Sequence, residues 1–323
     1  MQNLIAQTLS AVTLGAPASC EALTMFPLLG PSAAEAPPAY FTLDEALAHG
    51  LTDITEISEQ GSVPALSVVN KADKPVLILD GEELLGAKQN RVVNLTILVP
   101  AHAALTIPVS CVEAGRWRAR SRSFAAAPRT QYSSGRMKRM SQVTESIRRS
   151  AGRQSDQAEV WADIAQMSAR LDAESSTGAM EEMFTRHHDF TERCVEALAP
   201  VPGQAGALFL VDGRVVGFDL FDSTATLRRL LPKLVRSVAV DAIEVQTSSD
   251  SGDPTPGPRK GRRVSDSLLL KVAEGFLQST SGSDVHVADA VGMGRDLRLT
   301  GLKISGAALD VDATLVHLSA FHL

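Results

Sequence analysis

With 323 residues, 44% of them hydrophobic and 21% charged, the chain has an ordinary globular composition and is long enough to bury a sizeable core. No apolar run reaches bilayer-crossing length, and aromatics make up only 4%, so Leu, Val, Ile and Ala must fill that core. The formal net charge of −6 is mild, and the three cysteines (Cys20, Cys111 and Cys194) are odd in number and far apart. That spacing argues against a disulfide framework and against a CxxC metal site, and favours a reducing cytoplasm with no bound metal.

In chain order, residues 1–40 are rich in Ala and Pro and weakly periodic, and read as a weakly structured extension ahead of one domain at 41–323. Residues 4–20 faintly suggest a secretion or lipoprotein signal. They lack its basic start, since no Lys or Arg precedes Lys71. Thr42-Leu-Asp-Glu45 is a capping box that opens a short helix, ended by Gly50. Apolar runs at 63–69 and 76–79 read as strands.

Runs at 92–99 and 105–112 flank Pro100-Ala-His-Ala-Ala104, the length of a hairpin loop. A hairpin symmetric about His102 sets Val93 against Cys111 and Arg91 against Glu113 on one face, with Asn94 and Ser110 on the other. Pro108 cannot donate to a ladder, so it marks an edge or a bulge.

Charge is segregated along the chain. Residues 1–70 hold seven acids and no base, whereas residues 116–153 hold eleven bases and one acid, Glu145. The basic stretch is either a solvated loop balancing the acidic N-terminal region or a surface for RNA.

The second half opens with an Asp156-initiated helix carrying a stripe of Val160, Ile164, Met167 and Leu171. Another helix follows Thr177-Gly-Ala, with Met180, Phe184, His187, Cys194 and Leu198 on one side. Residues 207–221 form a hairpin around Asp212-Gly213, a type I′ signal. Residues 227–240 read as a helix containing Pro232, residues 247–263 as a flexible loop, and residues 268–277 as a last helix before strands near 297–304 and 314–321. The order of elements gives an α+β fold with largely antiparallel sheets, hairpins at 92–112 and 207–221, and helices from the second half packed on them.

Chemistry concentrates in Asp80-Gly-Glu-Glu-Leu-Leu-Gly-Ala-Lys-Gln-Asn-Arg91 and Pro108-Val-Ser-Cys-Val-Glu-Ala-Gly-Arg-Trp117. Glu82, Glu83 and Glu113 are the candidate catalytic carboxylates; on a strand Glu82 and Glu83 point to opposite faces, leaving one of them for solvent. Lys88, Gln89, Asn90, Arg91, Arg116 and Trp117 are candidate ligand contacts, together with Asp296 and Arg298 in the glycine-loosened Gly292-Met-Gly-Arg-Asp-Leu-Arg298. Arg91 and Glu113 either close the hairpin as an ion pair or frame a ligand. Cys111 reads as a packed thiol and His187 as a packed histidine, while Trp117 suits a base or a guanidinium stem.

These two blocks, with Ser176-Thr-Gly-Ala-Met180, Gly294-Arg-Asp-Leu-Arg298 and Val316-His-Leu-Ser-Ala-Phe321, resemble a bacterial family, the ARG and rhodanese-phosphatase-superfamily-associated proteins. The resemblance runs from about residue 40 to the end. That family takes its name from neighbouring ADP-ribosylglycohydrolase and rhodanese or phosphatase genes. The resemblance therefore implies ADP-ribose, NAD or other nucleotide metabolism, and assigns no catalytic residue and no cofactor. Two readings follow: an enzyme acting on a small phosphate-bearing nucleotide metabolite, or a binding module for RNA or a protein partner through residues 116–153.

Overall fold

The computed structural model describes residues 2–31, 34, 36–250 and 265–323. Residues 2–31 form α1 (Gln2–Ser10), β1 (Thr13–Leu14), β2 (Ala18–Cys20) and β3 (Leu23–Leu29). They are not a weakly structured extension. β3 is buried along almost its whole length, and its partner in the sheet is a strand about 180 residues downstream, a pairing that local periodicity does not reveal.

A run of short elements follows: β4 (Phe41–Thr42), α2 (Leu43–Ala48), β5 (Thr52–Glu56), β6 (Ala65–Asn70), β7 (Val76–Ile78), β8 (Glu82–Gly86), β9 (Arg91–Val93), β10 (Ile97–Val99), β11 (Ala104–Cys111) and β12 (Phe124–Thr130). Both hydrogen bonds of the Thr42–Glu45 capping box are made, and Gly50 at φ +66° lets the chain leave the helix. Six of these strands form one antiparallel sheet in the order β12-β8-β9-β11-β6-β5, and its two outer strands meet through a bridge between Thr55 and Ser123. The sheet therefore curls into a nearly closed barrel. Inward-facing Ile54, Leu66, Val68, Leu84, Val93, Ile107, Val109 and Phe124 fill it, joined by Leu43 and Ala46 of α2.

The expected hairpin at 92–112 is redistributed. β9 and β11 do pair antiparallel, but Arg91 stands opposite Cys111, two residues from the symmetric register. β10 leaves to pair with β7, and the first half of β11 pairs with β6. Pro108 sits where β11 changes partner, so its missing N–H is accommodated. Asn94 and Ser110 do meet, through a 2.6 Å bond from the Ser110 hydroxyl.

The second half contributes α3 (Ser133–Arg148), α4 (Gln157–Arg170), α5 (Glu181–Arg186), α6 (His188–Ala197), β13 (Gln204–Val211), β14 (Arg214–Phe221), α7 (Thr224–Asp250), α8 (Asp266–Ser281), β15 (Asp284–Asp289), β16 (Arg295–Gly301), β17 (Ile304–Val311) and β18 (Thr314–His322). Asp156 caps α4 as expected, and the helix expected after Thr177 is broken into α5 and α6 at His187. The loop expected at 247–263 falls, from residue 251 on, outside the described residues, and residues 247–250 close α7.

Nine strands make the second sheet, ordered β1-β3-β13-β14-β18-β17-β16-β15 with β2 on β3. One face is apolar and packs against α1 and α8 through Phe26, Leu208, Phe218, Leu299 and Leu318. The opposite face is apolar over β3, β13 and the Phe221 end of β14, beneath α6 and α7. Over β14, β18, β17 and β16 it carries Asp219, His317, Ser319, Ser305 and Arg298, all buried. The fold is thus α+β, with a buried polar layer lying between the sheet and α3.

Cys20 and Cys194 form a disulfide that ties β2 to α6 inside the apolar cluster beneath α7. The reading of three unpaired cysteines is therefore overturned, and the inference of a reducing compartment that rested on it goes too. Sequence spacing cannot report a pair that only the fold brings to a Cα separation of 5.3 Å. Reduction is expected to lower stability by about 2–4 kcal/mol. Urea unfolding of the wild type with and without reductant, beside Cys194→Ala, measures it, and coincident curves would contradict the bridge. No described helix is long and apolar enough to cross a membrane.

Candidate functional site

Leu84, Arg91 and Cys111 stand side by side on β8, β9 and β11. Directly opposed residues share a face, so Arg91 and Cys111 continue the inward row of Leu84, Val93 and Val109 at one end of the barrel. Gln89 joins them: its Oε1 accepts from Arg91 NH1 at 2.7 Å and from the Cys111 thiol at 2.9 Å, and its Nε2 donates to the Glu113 carbonyl at 2.9 Å. Trp117, about half exposed, covers the cluster from outside, with its ring 5.7 Å from the Arg91 Cζ and 5.4 Å from the Lys88 Nζ. Burial pushes the Cys111 thiol up, with Arg91 opposing, so it is a neutral packed donor as the sequence suggests.

Glu113 is not the partner of Arg91. Its Oε2 lies 2.7 Å from Arg116 and 3.1 Å from the Asn90 N–H, and its Oε1 accepts from Thr177 at 2.9 Å. Burial works to raise this carboxyl, but Arg116, the Asn90 amide and Thr177 together hold it below its ordinary value, so it stays ionised. Arg116 in turn fastens the turn before β9 through Ala87 O at 2.7 Å, Gly86 O at 3.3 Å and Asn90 Oδ1 at 3.1 Å.

Six arginines are buried among the described residues: Arg91, Arg116, Arg129, Arg136, Arg139 and Arg298. Five have a carboxylate oxygen close by, at 2.7 Å for Arg116–Glu113, 2.6 Å for Arg129–Glu83, 2.9 Å for Arg136–Asp80, 2.8 Å for Arg139–Asp80 and 2.8 Å for Arg298–Asp296. Arg91 is fully buried and has none; its Nε and NH2 lack any hydrogen-bond partner. A guanidinium cannot shed its proton, so burial without a counter-ion is costly.

The remaining candidates divide among other clusters. Glu82 and Glu83 are both buried, so neither is left for solvent as expected, because α7 and β12 each bring a cation to one of them. Glu82 pairs with Lys233 of α7 at 2.5 Å, and Lys233 also binds Asp44 at 2.8 Å; Glu83 pairs with Arg129. Burial raises both carboxyls, against the opposing pull of Lys233 and Arg129 respectively. Glu83 lies on the face of β8 away from Arg91. Lys88 donates to the Glu59 carbonyl from a more exposed position. Asp296 and Arg298 pair with each other in the polar layer, far along the chain from the barrel end. Gly292 and Gly294 are closely packed, since a Cβ would run into Leu98 O or Asp310 O.

Residues 116–153 are a solvated loop only over residues 117–123, which are exposed and carry Arg118, Arg120 and Arg122, and the remainder is not a continuous basic surface. Most of the rest forms β12 and α3, and four of the eleven bases (Arg116, Arg129, Arg136 and Arg139) are buried. In the polar layer Arg136 bridges Asp80 at 2.9 Å and both oxygens of Asp219 at 2.9 and 2.7 Å, and His317 Nε2 lies 2.9 Å from Asp219 Oδ1. Asp80, Asp219 and Asp296 balance Arg136, Arg139 and Arg298, so this layer is neutral within itself. Arg136 and Asp219 escaped the sequence reading, although a single acid in the apolar strand Arg214–Phe221 was a usable signal. Gly81, at φ +79°, lets the layer close, since a Cβ there would meet Arg136 Cδ at 2.9 Å.

Residues 11–321 match the family model described as the ARG and Rhodanese-Phosphatase-superfamily-associated Protein domain. This begins well before residue 40, because β2 and β3 are integral to the second sheet. No curated protein and no solved structure matches the chain.

Proposed function

The chain belongs to the ARG and Rhodanese-Phosphatase-superfamily-associated Protein family, and from that premise we propose that it binds a small phosphate-bearing, nucleotide-derived metabolite at Arg91. One observation carries the reading: Arg91 is the buried arginine that lacks a carboxylate, and a phosphate would satisfy its two free N–H groups in bidentate fashion. Trp117 offers a half-exposed ring for a base, and Lys88 and the exposed Arg120 stand at the rim for a second phosphate. The family's association with ARG and rhodanese-phosphatase proteins directs the choice of ligand to the ADP-ribose and NAD class. If the bound metabolite is a substrate, our reading gives the base role to ionised Glu113 and a framing role to Glu82 and Glu83. RNA binding through 116–153 is the weaker reading, because that segment turns four of its bases inward.

A thermal-shift screen against ADP-ribose, NAD, AMP, inorganic phosphate and short RNA, each with and without Mg²⁺, tests the proposal. A nucleotide at about 100 times its Kd should add about 2.7 kcal/mol of stability. Arg91→Met should lose that response, and Glu113→Gln should keep binding while losing any turnover. A shift that survives Arg91→Met, or salt-dependent RNA binding with no response to any small anion, would refute it.

A further inference from the structure

We infer that the Arg91 site is gated: the tip of the β5–β6 hairpin, residues 57–63, and the Trp117 ring close it as one cover, with Lys88 as a latch that a bound anion releases. Its purpose rests on the Arg91 reading; the cover itself stands on geometry. Arg91 is 0% exposed, so no ligand reaches its free Nε and NH2 unless something moves. Trp117 stands over the guanidinium, its ring 5.7 Å from the Arg91 Cζ, and is itself 49% exposed. Gly61 of the hairpin tip lies against that ring: a Cβ there would stand 3.5 Å from the Trp117 Cζ2 and 3.1 Å from the Lys88 Cδ. On the side of α4 the barrel end is clasped instead, since Gln157 accepts from the Cys111 N–H and donates to the Cys111 carbonyl, both at 2.8 Å.

The cover is lightly held. The base of the hairpin is fixed, with Glu56 opposite Leu66 and the Pro64 carbonyl accepting from the Val109 N–H at 3.0 Å. Between these points residues 57–60 are exposed. Among the described residues, one hydrogen bond crosses from 57–63 to the rest of the fold, from Lys88 Nζ to the Glu59 carbonyl at 2.5 Å. The bond from the Gly61 N–H to Ser58 O at 2.9 Å is internal to the tip and travels with it. Closure also works against itself: Glu56 Oε1 accepts from the Lys88 N–H at 3.4 Å, but Oε2 is buried with no partner. Few contacts and exposed backbone are the marks of a segment that opens locally.

Lys88 couples the cover to the ligand. Lys88 Nζ and the Arg91 Cζ lie 5.4 and 5.7 Å from the same indole ring, and among the described residues neither side chain has a carboxylate partner. A phosphate on Arg91 therefore competes with the Glu59 carbonyl for the ammonium, and a hydrogen bond between two charged groups is roughly twice as strong as a neutral one. Losing Lys88 frees the tip, so the anion selects the open state. An uncharged nucleoside offers the latch nothing and leaves the site closed.

Cys111 reports the opening without any ligand. It is the free thiol, it stands opposite Arg91 beneath the cover, and Cys20 and Cys194 are bridged. Its reaction with a chromogenic aryl disulfide should run about tenfold faster in Lys88→Met, with the melting temperature unmoved, a difference of about 1.4 kcal/mol in opening. Removing a positive charge cannot itself activate a thiol, so faster reaction reads access. Trp117→Ala should speed it at least as much, and the double variant should react no faster than Trp117→Ala, because one cover is removed once. Lys71→Met, which removes an exposed partner of Asp53, should leave the rate unchanged. A rate that ignores both Lys88→Met and Trp117→Ala, additive acceleration in the double variant, or equal acceleration by Lys71→Met would each overturn the gate. Inorganic phosphate should protect Cys111 in the wild type. Missing protection beside intact acceleration removes the anion from Arg91, and with it the coupling through Lys88, but not the cover, so the two failures are told apart.

Discussion

Arg136→Met is expected to destabilise the protein by about 3–5 kcal/mol, more than any other single charge removal considered. The side chain is fully buried and joins the two halves of the fold, binding Asp80 beside the barrel strand β8 and Asp219 on the central strand β14 of the large sheet. Met fills most of the volume but leaves two buried carboxylates facing Arg139 and a histidine. Arg149→Met, which removes an exposed partner of Glu145, is the control and should change stability by less than about 0.5 kcal/mol. The same network governs acid stability. Burial works to raise Asp219, yet Arg136 and the bond to His317 hold it at about 2, below its ordinary 3.8. A depressed carboxylate contributes stability above its unfolded value and loses it as pH falls. Wild type should therefore shed about 2 kcal/mol as pH drops from 3.8 towards 2. Arg136→Met should begin its acid transition at higher pH. Urea titrations at pH 7 and pH 3 check both points, and a pH 7 difference under about 1 kcal/mol would remove Arg136 from its place as the main tie between the sheets.

Much of the fold was legible wherever the signal is local. The Thr42–Glu45 capping box, the Asp156 cap and the Asp212-Gly213 turn each fix a few neighbouring backbone groups, and each forms. What failed depends on distant partners. β3 contains Pro27 and is followed by Pro31, Pro37 and Pro38, and its long pairing with the distant β13 makes it a strand. In α3 the buried positions Arg136, Arg139, Met140 and Val143 have helical spacing, but two of the four are arginines. An apolar-stripe test passes over them because the surface they meet is itself charged. The hairpin register failed for the same reason: β7 competes for Ile97–Val99, and a symmetric loop cannot report that. The candidate site was legible as a cluster but not as a set of roles. Arg91 looked explained by Glu113, and its missing counter-ion emerges only once Glu113 is seen held by Arg116, the Asn90 amide and Thr177.

Arg91→Met is expected to act in the opposite direction from Arg136→Met. A buried guanidinium with a neutral acceptor on one nitrogen and nothing on the other two destabilises the unliganded fold, so its removal should stabilise that state by about 1–3 kcal/mol. Met matches the stem that already packs at the barrel end, and the Gln89 amide keeps its bonds to Cys111 and to the Glu113 carbonyl. Affinity for a phosphate-bearing ligand should fall with the loss of a desolvated charge pair, about 2–5 kcal/mol. Arg91→Lys separates charge from shape: the ammonium keeps the positive charge but loses the planar fork, so it should recover only part of the affinity. Chemical unfolding of the unliganded variants, paired with calorimetric titration of the best ligand from the screen, reads both quantities. A gain in apo stability together with a loss of binding marks a residue kept for a ligand. If Arg91→Met instead destabilises the apo protein as Arg136→Met does, Arg91 is part of the frame and the anion site is not there.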